Sequence, residues 1–409
     1  MKKLHFTGIG GAGMAPLAAL SLAGNCRVSG SDSTYNDKCR KLAAAGAQIS
    51  AGHAAENVPS DADMLIYSSA VKFDNCERVR ARELHIRELR RGEFLAEFAS
   101  GYRRCISVTG THGKSSITSA LVSILRQCGK DPGFMIGAEV KDMPAYSGGD
   151  GDIFVTEADE SDGTHKLLHN FLAVVPNIED DHEWTLGGRE VLENNFRQVA
   201  ANSRKIVYYA SGKCDELFSG HPDAVRLPEI PEKFGKLRGF QAANAFIAFQ
   251  AAVILGCDPG QAAAAAENYP QVARRMNTVK TTAGFSVVED YAHHPTEVKA
   301  AIGLLRHNWP GTHLRVVFQP HRFARLEKYF DEFAEVLKSA DSAYIAPVFA
   351  AWSETGKVDS RMLAAAVDNA VALTGTPEQW AETIKAGLPE NSVIAVLGAG
   401  DIDVLLPLL

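Results

Sequence analysis

A lysine–serine pair that follows two closely spaced glycines is the most specific chemical signal in this sequence. Gly110-Thr111-His112-Gly113-Lys114-Ser115-Ser116 comes after a short β-branched, apolar run and before a segment of helical composition. In such a turn the glycines let backbone N–H groups surround phosphate oxygens, the lysine adds a point charge, and the serine hydroxyl can bind Mg²⁺. The loop is a shortened form of the usual Gly-x4-Gly-Lys-Ser/Thr pattern. It predicts that the phosphates of ATP bind here, because an ordinary glycine turn would leave the lysine and serine unexplained.

Acidic residues follow two other predicted strands. Residues 157–162 read Glu-Ala-Asp-Glu-Ser-Asp, and residues 179–182 read Glu-Asp-Asp-His. Because ligands collect at the carboxyl ends of parallel strands, we expect both runs to converge on the phosphate loop. Mg²⁺ prefers oxygen ligands, so Ser115 and Glu157 are candidate ligands, and His182 adds an imidazole. The alternative for the acidic runs is a pair of solvated loops.

A second glycine loop lies near the N-terminus. Gly8, Gly10 and Gly13 follow a short predicted strand and precede an alanine- and leucine-rich helix, and Asp32 comes at the end of the next strand. This pattern predicts that a nucleotide or its diphosphate binds here, without specifying a dinucleotide. The alternative is that the glycines only permit a tight turn and close packing of the helix on the sheet.

Histidine and arginine residues follow two predicted strands in the last third of the chain. Residues 289–297 read Glu-Asp-Tyr-Ala-His-His-Pro-Thr-Glu, and residues 319–325 read Gln-Pro-His-Arg-Phe-Ala-Arg. Because arginine binds carboxylate and phosphate groups through two parallel hydrogen bonds, the segments predict recognition of one of these anions. Surface residues on loops are the alternative.

The pattern of elements that must position these groups is α/β throughout. Strands alternate with helices in three successive regions, which predicts domains at residues 1–101, 102–269 and 270–409. The net charge of −7 gives no indication of the basic surface with which proteins bind nucleic acid. No apolar run approaches the length of a membrane span. The seven cysteines are scattered, which indicates reduced thiols and a cytoplasmic protein.

Taken together, these motifs resemble the Mur ligases of peptidoglycan synthesis, and within that family the branch that adds L-alanine. The resemblance covers nearly the whole chain and is most specific at residues 110–115, 157–163, 290–297 and 318–322. It implies an N-terminal Rossmann-like domain for a UDP-sugar, a central P-loop ATPase-type parallel sheet, and a C-terminal Rossmann-like domain. The implied activity is ATP-dependent, Mg²⁺-dependent amide formation between L-alanine and the carboxylate of UDP-N-acetylmuramate through an acyl phosphate. Cell-wall biogenesis, cell shape and cell division would depend on it.

The resemblance also implies roles for individual residues. Catalysis is assigned to Lys114, Glu157, His182, His293 and Arg322, and metal binding to Ser115, Glu157 and His182. ATP binding is assigned to Gly110, Thr111, His112, Gly113, Lys114, Ser115, Ser116, Gln241, Asn244, Arg275 and Asp290. Substrate binding is assigned to Gly10, Gly11, Gly13, Ser31, Asp32, Ser68, Ser69, Tyr291, His293, Arg322 and Arg325. The expected partners are the two small-molecule substrates alone, in a monomer or homodimer.

The sequence departs from the family pattern in two places. Phe240 and Gln241 stand where the family usually has a His-Asn pair beside the adenine, and the chain between Tyr209 and Gly239 is much shorter than usual. Two further functions therefore stay open: a Mur-type ligase with another acceptor, such as a murein peptide or a non-peptidoglycan acid, and a non-catalytic paralogue that binds nucleotide or UDP-sugar. A dinucleotide oxidoreductase would leave the second half of the chain unexplained.

Overall fold

The protein is an α/β molecule whose computed structural model describes residues 1–179, 187–351 and 355–409. Its described residues pack into two compact units. The first comprises Met1–Leu237 with Gln241–Val272, and the second comprises Arg238–Phe240 with Ala273–Leu409. The predicted fold class is confirmed, and parallel sheets occur in all three predicted regions. The predicted boundaries at residues 101 and 269 stay predictions.

The first sheet has five parallel strands in the order β3-β2-β1-β4-β5. Residues of β1 are buried on both faces because helices cover the sheet on both sides. The order reverses between β1 and β4, and the glycine loop follows β1 at this point, where open α/β sheets bind ligands. The strands are β1 Lys3–Thr7, β2 Arg27–Asp32, β3 Gln48–Ala51, β4 Met64–Tyr67 and β5 Arg87–Arg90, and the helices are α1 Met14–Ala23, α2 Asp37–Ala44, α3 Cys76–Glu83 and α4 Arg91–Ala99, with a 3₁₀ helix at Ala55–Asn57.

The second sheet has seven strands in the order β12-β11-β10-β6-β9-β7-β8. All of its neighbouring strands are parallel except the β7–β8 pair. The central strand β6 leads into the phosphate loop, between the neighbours β9 and β10 that carry the acidic runs. The strands are β6 Arg104–Val108, β7 Gly133–Met135, β8 Tyr146–Ser147, β9 Ile153–Glu157, β10 Asn170–Val175, β11 Ser203–Tyr209 and β12 Ala224–Leu227, and β13 Lys233–Phe234 and β14 Leu237–Arg238 form a small separate pair.

Helices of high alanine and leucine content enclose the second sheet. The helix after the phosphate loop, α5, has most of its residues buried, and the small side chains of α8 and α9 allow close packing in the same apolar core. The alanine-rich segment is helical, as predicted. The helices are α5 Lys114–Gln127, α6 Arg189–Ala201, α7 Gly212–Phe218, α8 Gly239–Ile254 and α9 Pro259–Ala266, with a 3₁₀ helix at Thr164–Leu167.

The second unit contains a six-stranded sheet in the order β15-β16-β20-β17-β18-β19. Only the β15–β16 pair is antiparallel. Apolar cores cover both faces of the sheet. The elements are β15 Asn277–Thr281, β16 Phe285–Asp290, α10 Pro295–Asn308, β17 His313–Phe318, α11 Phe323–Lys328, α12 Phe330–Leu337, β18 Ser342–Ile345, α13 Ser360–Ala365, β19 Ala370–Ala372, α14 Pro377–Lys385, β20 Ser392–Leu397 and a 3₁₀ helix at Ile402–Leu405.

Among the described residues, no helix is both long enough and apolar enough to span a lipid bilayer.

Candidate functional site

Two glycines shape the phosphate loop between β6 and α5. Gly110 has φ 119° and Gly113 has φ 86°, both in the left-handed region that favours glycine. A Cβ on Gly110 would lie 2.5 Å from the backbone oxygen of Asn177, and a Cβ on Gly113 would lie 2.6 Å from Asn244 Oδ1. The loop therefore needs glycine at both positions for space as well as for conformation. It ends at the N-terminus of a long helix, whose dipole favours an anion.

The residues after β10 hold the phosphate loop from the side. Asn177 Oδ1 accepts a hydrogen bond from the His112 N–H at 2.8 Å, and Asn177 Nδ2 donates to the His112 oxygen at 3.3 Å. The Glu179 N–H donates to Thr111 Oγ1 at 2.8 Å. His112 Nε2 and Glu179 Oε2 lie 3.4 Å apart. The predicted convergence of the two strand ends is observed for the described part of this acidic run.

Lys114 forms an ion pair with an acidic residue of the run that follows β9. Its Nζ lies 3.0 and 2.9 Å from the two carboxylate oxygens of Glu160, and it also donates to the Gly110 oxygen at 2.8 Å. Burial alone would lower the pKa of Lys114, but the carboxylates of Glu160 and Asp159 outweigh burial and raise it. Lys114 therefore carries a positive charge at the loop, and it neutralises part of the acidic run.

Ser115 and Glu157 lie side by side at the start of α5 and the end of β9. Ser115 Oγ donates to Glu157 Oε2 at 2.9 Å, and the Gly137 N–H donates to Glu157 Oε1 at 2.6 Å. Burial raises the pKa of Glu157, while these two hydrogen bonds and the charge of Lys114 oppose the increase. A hydroxyl and a carboxylate oxygen in contact offer the hard ligands that Mg²⁺ prefers, so this pair fits the predicted metal.

The remaining predicted ATP-binding residues of the first unit lie close to the loop or on α8. Ser116 is buried in the first turn of α5, and Asn244 is buried against Gly113. Gln241 is partly buried one turn before Asn244 on α8, and its contact with adenine stays a prediction. His182 lies outside the described residues.

The glycine loop of the first sheet is fixed by the aspartate that follows β2. The Gly10 N–H donates to Asp32 Oδ2 at 2.9 Å, and the other carboxylate oxygen accepts the Thr34 N–H at 3.0 Å. Gly8 has φ 81°, and its oxygen accepts the Gly11 N–H at 3.2 Å. Asp32 thus organises the loop from within, and a ribose contact by the same carboxylate stays a prediction.

A fully buried carboxylate lies below this loop. Glu77, on α3, has no exposed surface and accepts hydrogen bonds from Ser31 Oγ at 2.7 Å, Thr7 Oγ1 at 2.8 Å and Asn57 Nδ2 at 2.9 Å. His5 Nε2 lies 3.2 Å from the same carboxylate. Ser31 is itself buried, so its hydroxyl is oriented toward the interior.

The other predicted substrate residues of the first sheet surround the loop. A Cβ on Gly8 would lie 3.1 Å from Ser68 Cβ, so Ser68 packs directly against the loop, whereas Ser69 is exposed. A Cβ on Gly13 would lie 3.0 Å from Cδ of Arg91. Direct contacts of these residues with a substrate stay predictions.

The second unit has its own buried acid at the end of β16. Asp290 Oδ1 accepts the Ala292 N–H at 2.7 Å, and Oδ2 accepts the Met276 N–H at 2.9 Å. Burial raises the pKa of Asp290 to about 6, while the nearby Arg275 and the two backbone N–H groups oppose the increase. The carboxylate fixes the turn that positions Arg275, in addition to any contact it makes with a ribose.

Arg275, Tyr291, His293 and Glu297 form one polar cluster in the second unit. Arg275 Nη1 lies 3.3 Å from Glu297 Oε1, and the guanidinium lies 5.1 Å from the centre of the Tyr291 ring. His293 Nδ1 is 3.1 Å from Glu297 Oε2, and it is 3.0 Å from the Tyr291 oxygen. Glu297 therefore links an arginine and a histidine that were both predicted to be functional.

The two predicted arginines after β17 lie in different surroundings. Arg322 is the residue before α11 and has φ 71°, a conformation that costs energy in any residue except glycine. Arg325 is 1% exposed, and its Nη1 lies 3.1 Å from both the oxygen and Nδ1 of His321. His321 stacks on Phe349 with a ring distance of 5.4 Å. The loop is thus held in a strained shape by a buried arginine.

Comparison with known proteins identifies the family. The model described as "Mur ligase family, catalytic domain" matches residues 3–103, and the model "Mur ligase, glutamate ligase domain" matches residues 274–400. The UDP-N-acetylmuramate–L-alanine ligase of Paenarthrobacter aurescens is 34% identical over 441 residues, covering 98% of this chain and 94% of the relative. The chain belongs to the Mur ligase family. The enzyme of the same name from Xanthomonas oryzae pv. oryzae is 34% identical over 446 residues, with 98% and 93% coverage.

Solved structures of Mur ligases share this fold. The UDP-N-acetylmuramate-alanine ligase of Thermotoga maritima matches with a TM-score of 0.81 and 24% identity, over 100% of this chain and 98% of its own. A murein peptide ligase from Psychrobacter arcticus matches with a TM-score of 0.69 and 20% identity, over 99% and 97%. The alignment with the Paenarthrobacter relative spans 441 positions. The relative therefore contains residues that this 409-residue chain lacks.

Sequence reasoning missed several residues that hold the predicted ones in place in this Mur ligase. Asn177 and Glu77 each make contacts with residues more than 60 positions away, which local patterns do not reveal. One available signal was the position of Asn177, two residues after the buried strand β10. Glu160 was identified only as one member of the acidic run at residues 157–162, and its ion pair with Lys114 was not predicted.

Proposed function

We propose that this Mur ligase joins L-alanine to the carboxylate of UDP-N-acetylmuramate at the expense of ATP, a step of peptidoglycan synthesis. The observation that carries the proposal is the phosphate loop, where Lys114 and the Ser115–Glu157 pair meet at the N-terminus of a helix. The same chain is 34% identical to alanine-adding Mur ligases along 98% of its length. Residue chemistry and overall similarity therefore support one activity.

The proposed reaction has two steps. A carboxylate oxygen of the sugar attacks the γ-phosphorus of ATP, the bond from that phosphorus to the bridging oxygen breaks, and ADP leaves. The amine nitrogen of L-alanine then attacks the acyl carbon, phosphate departs with the acyl oxygen, and the nitrogen loses a proton. Because charge is redistributed among phosphate oxygens in the first step, the main tasks of the protein are positioning and charge neutralisation.

The first unit would perform the phosphate-binding part of this work. Lys114, already charged and held at the loop by Glu160, is placed to neutralise β- and γ-phosphate oxygens. Ser115 and Glu157 would hold Mg²⁺, which supplies Lewis-acid neutralisation of the phosphate oxygens when bound. We propose that His182 acts near the acyl phosphate, and that Gln241 and Asn244 border the base.

Binding of the UDP-sugar, of L-alanine and of the rest of ATP would be divided between the two other sheets. In the first unit we propose that the glycine loop ordered by Asp32 binds the UDP moiety. In the second unit we propose that Arg322 and Arg325 bind the carboxylate of L-alanine and that Tyr291 and His293 line its pocket. Arg275 and Asp290 are proposed to bind the ATP phosphates and ribose.

The test is phosphate release from ATP and Mg²⁺ with purified protein. We expect release that requires both UDP-N-acetylmuramate and L-alanine, with the amide product identified by mass spectrometry. Release with UDP-N-acetylmuramate and a murein tripeptide, but not with alanine, would instead indicate the recycling branch. No release with either amine, although UDP-N-acetylmuramate still binds, would indicate a non-catalytic paralogue.

The proposal also includes the cellular location and the oligomeric state of the enzyme. UDP-sugars and ATP are both used as soluble nucleotides, so we propose that the enzyme acts in the cytoplasm. We propose that it works as a monomer or a homodimer, which light scattering on the purified protein distinguishes.

A further inference from the structure

An arginine outside every predicted set connects the first sheet to the acidic run of the second. Arg91 is the first residue of α4, and its Nη2 lies 2.5 Å from Asp162 Oδ2 and 3.3 Å from Thr164 Oγ1. The side chains of Arg91 and Asp162 are each 16% exposed. Removing one partner of a largely buried ion pair destabilises a protein, because the remaining charge stays buried without its partner.

The same arginine packs against the glycine loop. A Cβ on Gly13 would lie 3.0 Å from Cδ of Arg91 and 3.1 Å from Nη1. The backbone of the neighbouring Gly92 lies close to Thr164, which follows the acidic run, since a Cβ on Gly92 would lie 2.3 Å from Thr164 Oγ1. One side chain thus touches the loop proposed to bind UDP and the run that follows β9.

The contacts continue from Asp162 to the phosphate loop. Asp162 Oδ1 accepts the Thr164 N–H at 3.0 Å, and the oxygen of Glu160 accepts the Gly163 N–H at 3.1 Å. The carboxylate of Glu160 in turn binds Lys114. The run is therefore a short, hydrogen-bonded turn with Arg91 at one end and Lys114 at the other.

We propose that Arg91 is a positioning residue that couples the two ligand loops of the first unit. It keeps the glycine loop and the turn at residues 160–164 at a fixed distance and orientation. The sugar carboxylate and the γ-phosphate of ATP are thereby aligned for reaction. This inference rests on the proposed function. Its role is alignment, so removing it would impair phosphoryl transfer more than the binding of either substrate.

The main experiment compares Arg91→Ala with wild type. We expect kcat to fall by about 10- to 100-fold, the cost of a misplacement on the order of 1 Å, while KM for ATP and for UDP-N-acetylmuramate change by less than about 3-fold. Asp162→Asn should give a similar loss, because it removes the charge and keeps an oxygen for the Thr164 N–H. In the double variant the losses should not add, and Arg91→Lys should recover part of kcat.

Arg87→Ala is the matched control. Arg87 is a nearby exposed arginine that pairs with Glu97, and its loss should leave kcat unchanged. Thermal unfolding of all variants shows whether Arg91→Ala is folded. If Arg91→Ala does not fold, the activity of Asp162→Asn tests the proposal. Unchanged kcat in both variants, or a loss confined to KM, would overturn the proposal.

A binding measurement separates this proposal from the proposed function. Calorimetry gives the affinity for UDP-N-acetylmuramate with and without a non-hydrolysable ATP analogue and Mg²⁺. We expect each ligand to change the affinity of the other by about 2- to 3-fold in wild type, within the limit set for the KM values, and to bind independently in Arg91→Ala. If the wild-type protein shows no turnover but its two ligands still affect each other's affinity, only the proposed function is refuted. Coupling that persists in Arg91→Ala would refute the positioning role.

Discussion

At the scale of single residues, the phosphate loop is organised by charges held close to their partners. Glu157 is partly buried, and both of its oxygens accept hydrogen bonds, from Ser115 and from the Gly137 N–H. Burial raises its pKa, so the carboxylate gains from any positive charge placed beside it. A divalent cation bound by Ser115 and Glu157 would supply that charge.

Glu157→Gln should therefore abolish most of the activity while preserving the shape of the site. The amide keeps one oxygen for the Gly137 N–H but loses the negative charge that a metal requires. We expect alanine-dependent phosphate release to fall by about 100-fold or more, and the Mg²⁺ concentration for half-maximal rate to rise.

The control for this change is Glu139→Gln. Glu139 is an exposed acid close to Gly137 in sequence, so its charge is solvated and its loss should leave the Mg²⁺ dependence unchanged. Equal activity of Glu157→Gln and wild type would contradict the assigned metal site.

At the scale of elements, the strands and the loops that follow them could be predicted, whereas the contacts that fix them could not. Apolar β-branched runs ending in glycine or acid predicted β6, β9 and β10, and all three are observed. Asn177, which holds the phosphate loop, is 65 residues from its partner His112. Such a contact depends on strand order, which periodicity does not contain. The contacts of Arg91 with Asp162 and of Glu77 with Thr7 were missed for the same reason.

Glu77 gives a prediction at this scale, because it ties β1 and β2 to α3. Burial alone would raise its pKa, but hydrogen bonds from His5, Ser31 and Asn57 outweigh burial and lower it from 4.5 to about 2. A carboxylate with a lowered pKa stabilises the fold above pH 4.5, and this contribution is lost as the pH falls toward 2. The contribution is about 3 kcal/mol.

We expect the free energy of unfolding of wild type in urea to fall between pH 7 and pH 3, and Glu77→Gln to show a smaller fall from a lower starting value. Glu83→Gln, on the exposed face of the same helix, should follow wild type. Parallel curves for wild type and Glu77→Gln would show that the buried carboxylate does not contribute to the pH dependence.

At the scale of the whole molecule, the chain divides into two units with separate cores. In the second unit, Val288, Phe318 and Leu397 belong to the apolar core on one face of the sheet, and Val287 and Ile394 to the core on the other. The sheet is therefore covered on both faces by residues of its own unit. A domain with a complete core of this kind is expected to fold alone.

A fragment of residues 273–409 tests this expectation. We expect it to be soluble, to show the circular dichroism of an α/β protein, and to unfold in one cooperative thermal transition. The matched control ends at residue 391 and lacks β20, which lies between β16 and β17 in the centre of the sheet. That fragment should not unfold cooperatively, because two central strands lose their common neighbour and both cores lose buried side chains. If residues 273–409 also lack a cooperative transition, the second unit depends on the first for its stability, and the two cores are not independent.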